Sequence, residues 1–100
     1  MPNISVSVPY QIPQEEALKR IQNFVSQIKT QYASAITDFQ ENWDGNSGTF
    51  RGSGRGFSAS GNIAVNPSQV VVDLTVPFAA MFFKGKIEST LREELAKLLS

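Results

Sequence analysis

Proton transfer, metal binding and nucleophilic attack each need particular side chains, and this chain offers few of them. Its 100 residues include no histidine and no cysteine, which removes the commonest general bases, thiolate nucleophiles and transition-metal ligands. Carboxylates and hydroxyls remain. Asp38 and Asp73 are the acids best placed for acid–base work, since each falls in an alternating segment that reads as a strand. Both sit opposite the main apolar stripe of their strand, so the plainer expectation is two solvent-facing sheet positions. Glu93 and Glu94 belong to a charged helix face. No Gly-x-x-x-x-Gly-Lys-Ser/Thr loop is present to cradle a phosphate. The expectation is a protein with no catalytic residue, no metal and no cofactor.

A second candidate is "GTFRGSGRGFSASGNI", residues 48–63, in which Arg51 and Arg55 stand among glycines. Arginine–glycine segments that bind RNA work by repetition in an unfolded chain. Here there are two arginines and no Arg-Gly-Gly triplet. The nine basic and nine acidic side chains also cancel, leaving no global attraction for polyanions. The reading is a hairpin tip within "RGSGRG", with exposed arginines, an inward Phe57 and no nucleic-acid partner. Gly61, on the inner face of the next strand, marks a bulge or the close approach of another element.

The third candidate is apolar. Phe78, Met81, Phe82 and Phe83 crowd six residues and cannot all point inward from one short turn. Lys84 and Lys86 follow them, as at a surface where an apolar phase meets water. Either these side chains cap one end of the core, or they form an exposed patch that docks on something. A homodimer is one occupant and an extended apolar surface is another. A separate reading is a pocket for an apolar, acyl-type ligand between helices and sheet, lined by Phe39, Trp43, Ile63, Leu74 and Met81.

The elements that would position these groups follow from periodicity. "NISVSV" alternates, with Ile4, Val6 and Val8 on one face. Pro13 suits a helix start, Glu15 and Glu16 complement the dipole of its first turn, and Ala17, Ile21, Phe24, Val25, Ile28 and Tyr32 keep helical spacing. "AITDFQENW" alternates again, placing Phe39, Glu41 and Trp43 opposite Ile36, Asp38 and Gln40. "DGNSG" and "NPS" are turn signals, and "FSASGNIAV" and "QVVVDLTV" are strands. "PFAAMFF" reads as a short helical turn, Gly85 as a kink, and the last helix runs from about Lys86 with Ile87, Leu91, Leu95, Leu98 and Leu99 inward. The sum is a single domain over residues 1–100, β-α-β-β-β-β-α. It is an α+β fold, with two helices on one face of a twisted antiparallel sheet.

Composition agrees. Hydrophobic residues make up 41% and charged residues 18% of the chain, enough for one packed core. Residues 1–30 lack a charged segment followed by an apolar one, so no signal peptide is expected. The longest apolar run, Val76 to Phe83, falls far short of the ~20 residues that span a bilayer. No transmembrane segment is expected, and a cytoplasmic location follows from these features together with the lack of cysteine.

Three segments together resemble one family. "ISVSVPYQIPQEEALKRI" looks like its strand, turn and glutamate-alanine helix start. "ENWDGNSGTF" with "SASGNIAV" looks like its tryptophan strand, hairpin and Gly-x-Ile/Leu strand. "VVVDLTVPFAAMFFKGKIESTLREELAKLL" looks like its strand, apolar knee, Lys-Gly pair and last helix. The family is the bacterial polyhydroxyalkanoic acid system proteins, and the resemblance covers nearly the whole chain. It implies a small cytoplasmic protein connected with storage-polyester granules and supplies no catalytic residues. The glycine hairpin is longer than the family pattern.

Overall fold

Alternating Ile4, Val6 and Val8 build the first strand, β1 (Asn3–Pro9), with all three side chains buried and the serines between them exposed. The computed structural model describes residues 2–54 and 56–100, with Phe57 described by its backbone alone. Two sequence expectations, the exposed Arg55 and the inward Phe57 ring, therefore lie outside the described residues. After β1 come α1 (Gln14–Gln31), β2 (Thr37–Asp44), β3 (Ser47–Gly54), β4 (Phe57–Val65) and β5 (Gln69–Thr75). A 3₁₀ turn (Phe78–Phe83) leads into α2 (Lys84–Leu99). The order is β-α-β-β-β-β-α, an α+β fold.

The strands lie in the order β1-β5-β4-β3-β2, every pair antiparallel. The chain therefore starts at one edge, crosses the sheet in α1, and returns strand by strand to pair β5 with β1. Eighteen helical residues reach about 27 Å, enough to pass four strand spacings of roughly 4.8 Å each. Pro13 precedes the helix, where its missing N–H leaves nothing unsatisfied, and Glu15 and Glu16 occupy the positive first turn.

Ala17, Ile21 and Val25 of α1 and Leu95 and Leu99 of α2 pack on Val6, Val8, Ile63, Val65, Val70 and Val72 in one core. Both helices thus cover the same face. Helix α2 rests chiefly on β1, and α1 lies against α2 and β4. Arg20 joins the two helices: its guanidinium donates to the Leu98 carbonyl at 2.9 Å and the Ser100 carbonyl at 3.0 Å. These are carbonyls that the end of α2 would otherwise leave unpaired. The Gln14 amide donates to the Val65 carbonyl at 2.8 Å, and the Tyr10 hydroxyl donates to the Asn66 carbonyl, tying the start of α1 to the β4–β5 turn.

Four local expectations are corrected. The glycine stretch is not a broad tip: β3 continues through Arg51, Gly52 and Ser53 to Gly54, which pairs with Phe57. The reversal follows Gly54, with Gly56 at φ +82°. Gly85 is no kink, since it lies in the first turn of α2 with open space around it. Ile36 falls outside the strand and on the same side as Phe39, because β2 carries a bulge between Thr37 and Gln40 with Asp38 at φ +53°. An extra residue of this kind re-aims the side chains around it, and aspartate is among the residues that tolerate the left-handed conformation. Tyr32, expected inward, is 53% exposed.

The core and the strand surface should respond differently to substitution. Ile21→Ala, emptying a fully buried site, should cost about 2–5 kcal/mol. Arg51→Ser, on an exposed strand position, should change stability by less than ~0.5 kcal/mol. Urea denaturation of the two variants measures both values.

Candidate apolar knee and cleft

The helix-side face of the sheet changes character from one edge to the other. Across β1, β5 and β4 the register aligns Val6, Val72 and Ile63, and the next positions on β3 and β2 are Gly48 and Trp43. In the neighbouring row Ile4 and Leu74 are followed by Gly61, Phe50 and Glu41. Glycine and aromatic residues alternate here, so that a side chain on one strand covers the bare backbone of the next. A Cβ on Gly48 would lie 2.8 Å from the Trp43 ring, and one on Gly61 would lie 2.8 Å from the Leu74 side chain and 3.3 Å from Phe50. The indole N–H of Trp43 donates to the Glu41 carboxylate at 2.7 Å, so its polar end is satisfied.

Beyond this patch the face opens into a cleft of about 450 Å³. Its floor is the directly paired Gly52 and Ala59. Ile36 and Phe39 wall one side, Leu74 and Pro77 line it from β5 and the segment after it, and Ile28 comes from α1. The Ala35 carbonyl presses so closely on Gly54 that any Cβ there would overlap it. The β3 glycines therefore serve the approach of the α1–β2 connection, in addition to the turn that follows them. Of the residues anticipated for a pocket, Phe39 and Leu74 line the cleft. Ile63 is buried in the core, Trp43 lies on Gly48, and Met81 is half-buried in the 3₁₀ turn. Ile28, Ile36, Gly52, Ala59 and Pro77 were not anticipated. The pairing of Gly52 with Ala59, fixed once the turn is placed between Gly54 and Phe57, was the signal that could have found the floor.

Pro77 leads directly into the 3₁₀ turn, none of whose residues is buried. Phe78 is 79%, Phe82 90% and Phe83 63% exposed, with Met81 between them half-buried. Lys84 and Lys86 are exposed at the start of α2, and the Lys84 ammonium lies 3.9 Å from the Glu88 carboxylate. Three phenylalanines in water within six residues exceed what a chain end needs to close its core. The backbone is held on both sides of the turn: before it the Val76 N–H donates to the Pro2 carbonyl at 3.0 Å, at its start the Ala80 N–H donates to the Pro77 carbonyl at 3.0 Å, and at its end the Lys84 N–H donates to the Met81 carbonyl.

The opposite face of the sheet is polar. One row runs Asn3, Thr75, Ser60, Arg51, Gln40 and the next Ser5, Asp73, Asn62, Thr49, Asn42. Asp73 on β5 and Asp38 on β2 are both exposed and stand at least three strand spacings, roughly 14 Å, apart, with a further offset along the strands. That exceeds the separation at which two carboxylates share one reacting bond. Among the described residues no group of three acidic, histidine or cysteine side chains could hold a metal ion, and no helix is long and apolar enough to cross a membrane.

A family model described as "Putative polyhydroxyalkanoic acid system protein" matches residues 4–99. The chain belongs to this family. Every strand and helix described above lies essentially within the match, the apolar knee and the cleft included. No curated protein and no solved structure matches the chain.

The covering of glycine by aromatic side chains is open to direct test. Gly48→Ala should push the indole of Trp43 off the sheet, with a red shift of its emission and a loss of about 1–3 kcal/mol, the usual cost of overpacking. Fluorescence and urea titration of the variant report both effects.

Proposed function

We propose that this chain is a non-catalytic binding protein of the polyhydroxyalkanoic acid system that seats its Phe78–Phe83 knee on the apolar surface of a storage-polyester granule. The observation that carries this reading is the exposure of Phe78, Phe82 and Phe83 on one anchored turn, followed by lysines. The family supplies the polymer, whose alkyl groups offer an extended apolar surface. Working at such granules would place the chain in the cytoplasm.

Area favours this occupant over a second copy of the chain. Scaled by their exposure, three phenylalanine side chains present roughly 350 Å². Two copies meeting through this patch would bury roughly 700 Å², below the ~1,200 Å² of a stable protein interface. An extended surface needs no matching partner shape. At ~25 cal/mol per Å² the patch could contribute up to about 9 kcal/mol of transfer free energy before the costs of association are subtracted. Lys84 and Lys86 can lay their methylene stems beside the rings while their ammonium groups stay in water. The wide separation of Asp38 and Asp73 supports a binding role over a hydrolytic one.

A fluorescent fusion expressed in granule-forming cells tests the proposal. The wild-type fusion should concentrate at granule rims, and the Phe82→Ser, Phe83→Ser variant should lose at least ten-fold of that enrichment while keeping its melting temperature, since neither ring is buried. Diffuse wild-type fluorescence, or unchanged targeting of the double variant, would overturn it.

A further inference from the structure

We infer that the cleft is a binding site for the anion of an unbranched, medium-chain carboxylic acid, its alkyl chain lying over Gly52 and Ala59 and its carboxylate meeting Lys29. The volume, about 450 Å³, is within the range of small-molecule sites. Its shape is that of a slot. Two small residues, paired across β3 and β4, form the floor, and bulkier apolar groups stand on both sides. Ala59 shares a strand face with Gly61 and Ile63, so its methyl group is on the helix side, yet the residue is exposed. An apolar floor left open to water is a place for an apolar chain.

Two cations border the slot, Arg51 in its lining and Lys29 beside its Phe39 wall, and charge of this sign selects which apolar chain. The Lys29 ammonium stands over the Phe39 ring, 5.8 Å from its centroid, and Phe39 is a wall of the slot. Among the described residues the ion pairs are Arg20–Glu16, Lys84–Glu88 and Lys97–Glu94. Lys29 belongs to none of them. A cation held by an aromatic ring at the edge of an apolar slot complements a molecule with one anionic end and one alkyl end. The carboxylate would remain at the water boundary, where its hydration is retained. This site is separate from the knee, and the inference stands whether or not the knee binds granules.

Titration calorimetry with decanoate, decanol and a methyl-capped hydroxyalkanoate oligoester tests it, with amide NMR shifts locating the site. Decanoate, below its micelle concentration, should bind at one site and shift the Gly52 and Ala59 amides. Ala59→Phe, which fills the slot, and Ala59→Asp, which puts a like charge on its floor, should each weaken it at least ten-fold. Lys29→Gln should weaken decanoate several-fold and leave decanol unchanged. The Phe82→Ser, Phe83→Ser variant should bind decanoate as the wild type does, which separates this site from the granule reading. The inference is overturned if folded wild-type protein shows no saturable decanoate binding, or if both Ala59 variants, folded by circular dichroism, bind it unchanged. Equal losses of decanoate and decanol in Lys29→Gln, or preference for the capped oligoester, would overturn the carboxylate assignment.

Discussion

Two helices cannot cover a five-stranded sheet, and most of this molecule follows from that shortfall. Helices α1 and α2 close over β1, β5 and β4, where the inward residues are branched aliphatics packed to near-complete burial. Over the β2–β3 side of the same face only the C-terminal end of α1 approaches, through Ile28 and Lys29. The solution there is to put glycine on one strand and a large ring on the next, so that the ring lies flat and shields the backbone from water. Where the rings end, the α1–β2 connection takes over, pressing Ile36 and the Ala35 carbonyl onto Gly52 and Gly54. Where that connection ends, the slot opens.

This arrangement separates the molecule's stability from its surfaces. The residues that hold the fold lie at one side of the sheet and between the helices. Phe78, Phe82 and Phe83 contribute little to the core, because they are exposed. Keeping them in water costs solubility, and a function that used no apolar contact would be served as well by polar residues there. The turn that carries them is pinned by its neighbours, Pro2 on one side and α2 on the other, so the rings are displayed from a fixed base. The polar face of the sheet has the opposite character, an array of hydroxyl and amide side chains like that of any antiparallel sheet with one wet side.

Much of the fold was legible because burial leaves a period in the sequence. Ile4, Val6 and Val8 on β1 and Val70 and Val72 on β5 alternate, and Ala17, Ile21 and Val25 recur at helical spacing. The glycines were harder to read. A turn and a close approach both demand a missing Cβ, so Gly52 and Gly54 looked like parts of a tip when they are parts of a strand. What lies over them, Ala35 and Ile36, is distant in sequence and is aimed by a bulge at Asp38 that no alternation pattern announces. The crowding of four large apolar residues into the knee was visible without a structure. The slot was not: its walls come from α1, its connection to β2, β2 itself, β5 and Pro77, and only Phe39 and Leu74 had been singled out.

Hydroxyl-radical labelling of side chains, with the protein free and then bound to polyhydroxyalkanoate particles, examines the apolar knee most directly. Phe78, Phe82 and Phe83 should be labelled readily in the free protein and become protected on the particles, while Trp43 and the polar face keep their labelling. Binding that protects the polar face and leaves the three phenylalanines as reactive as before would contradict the assignment of function to the knee.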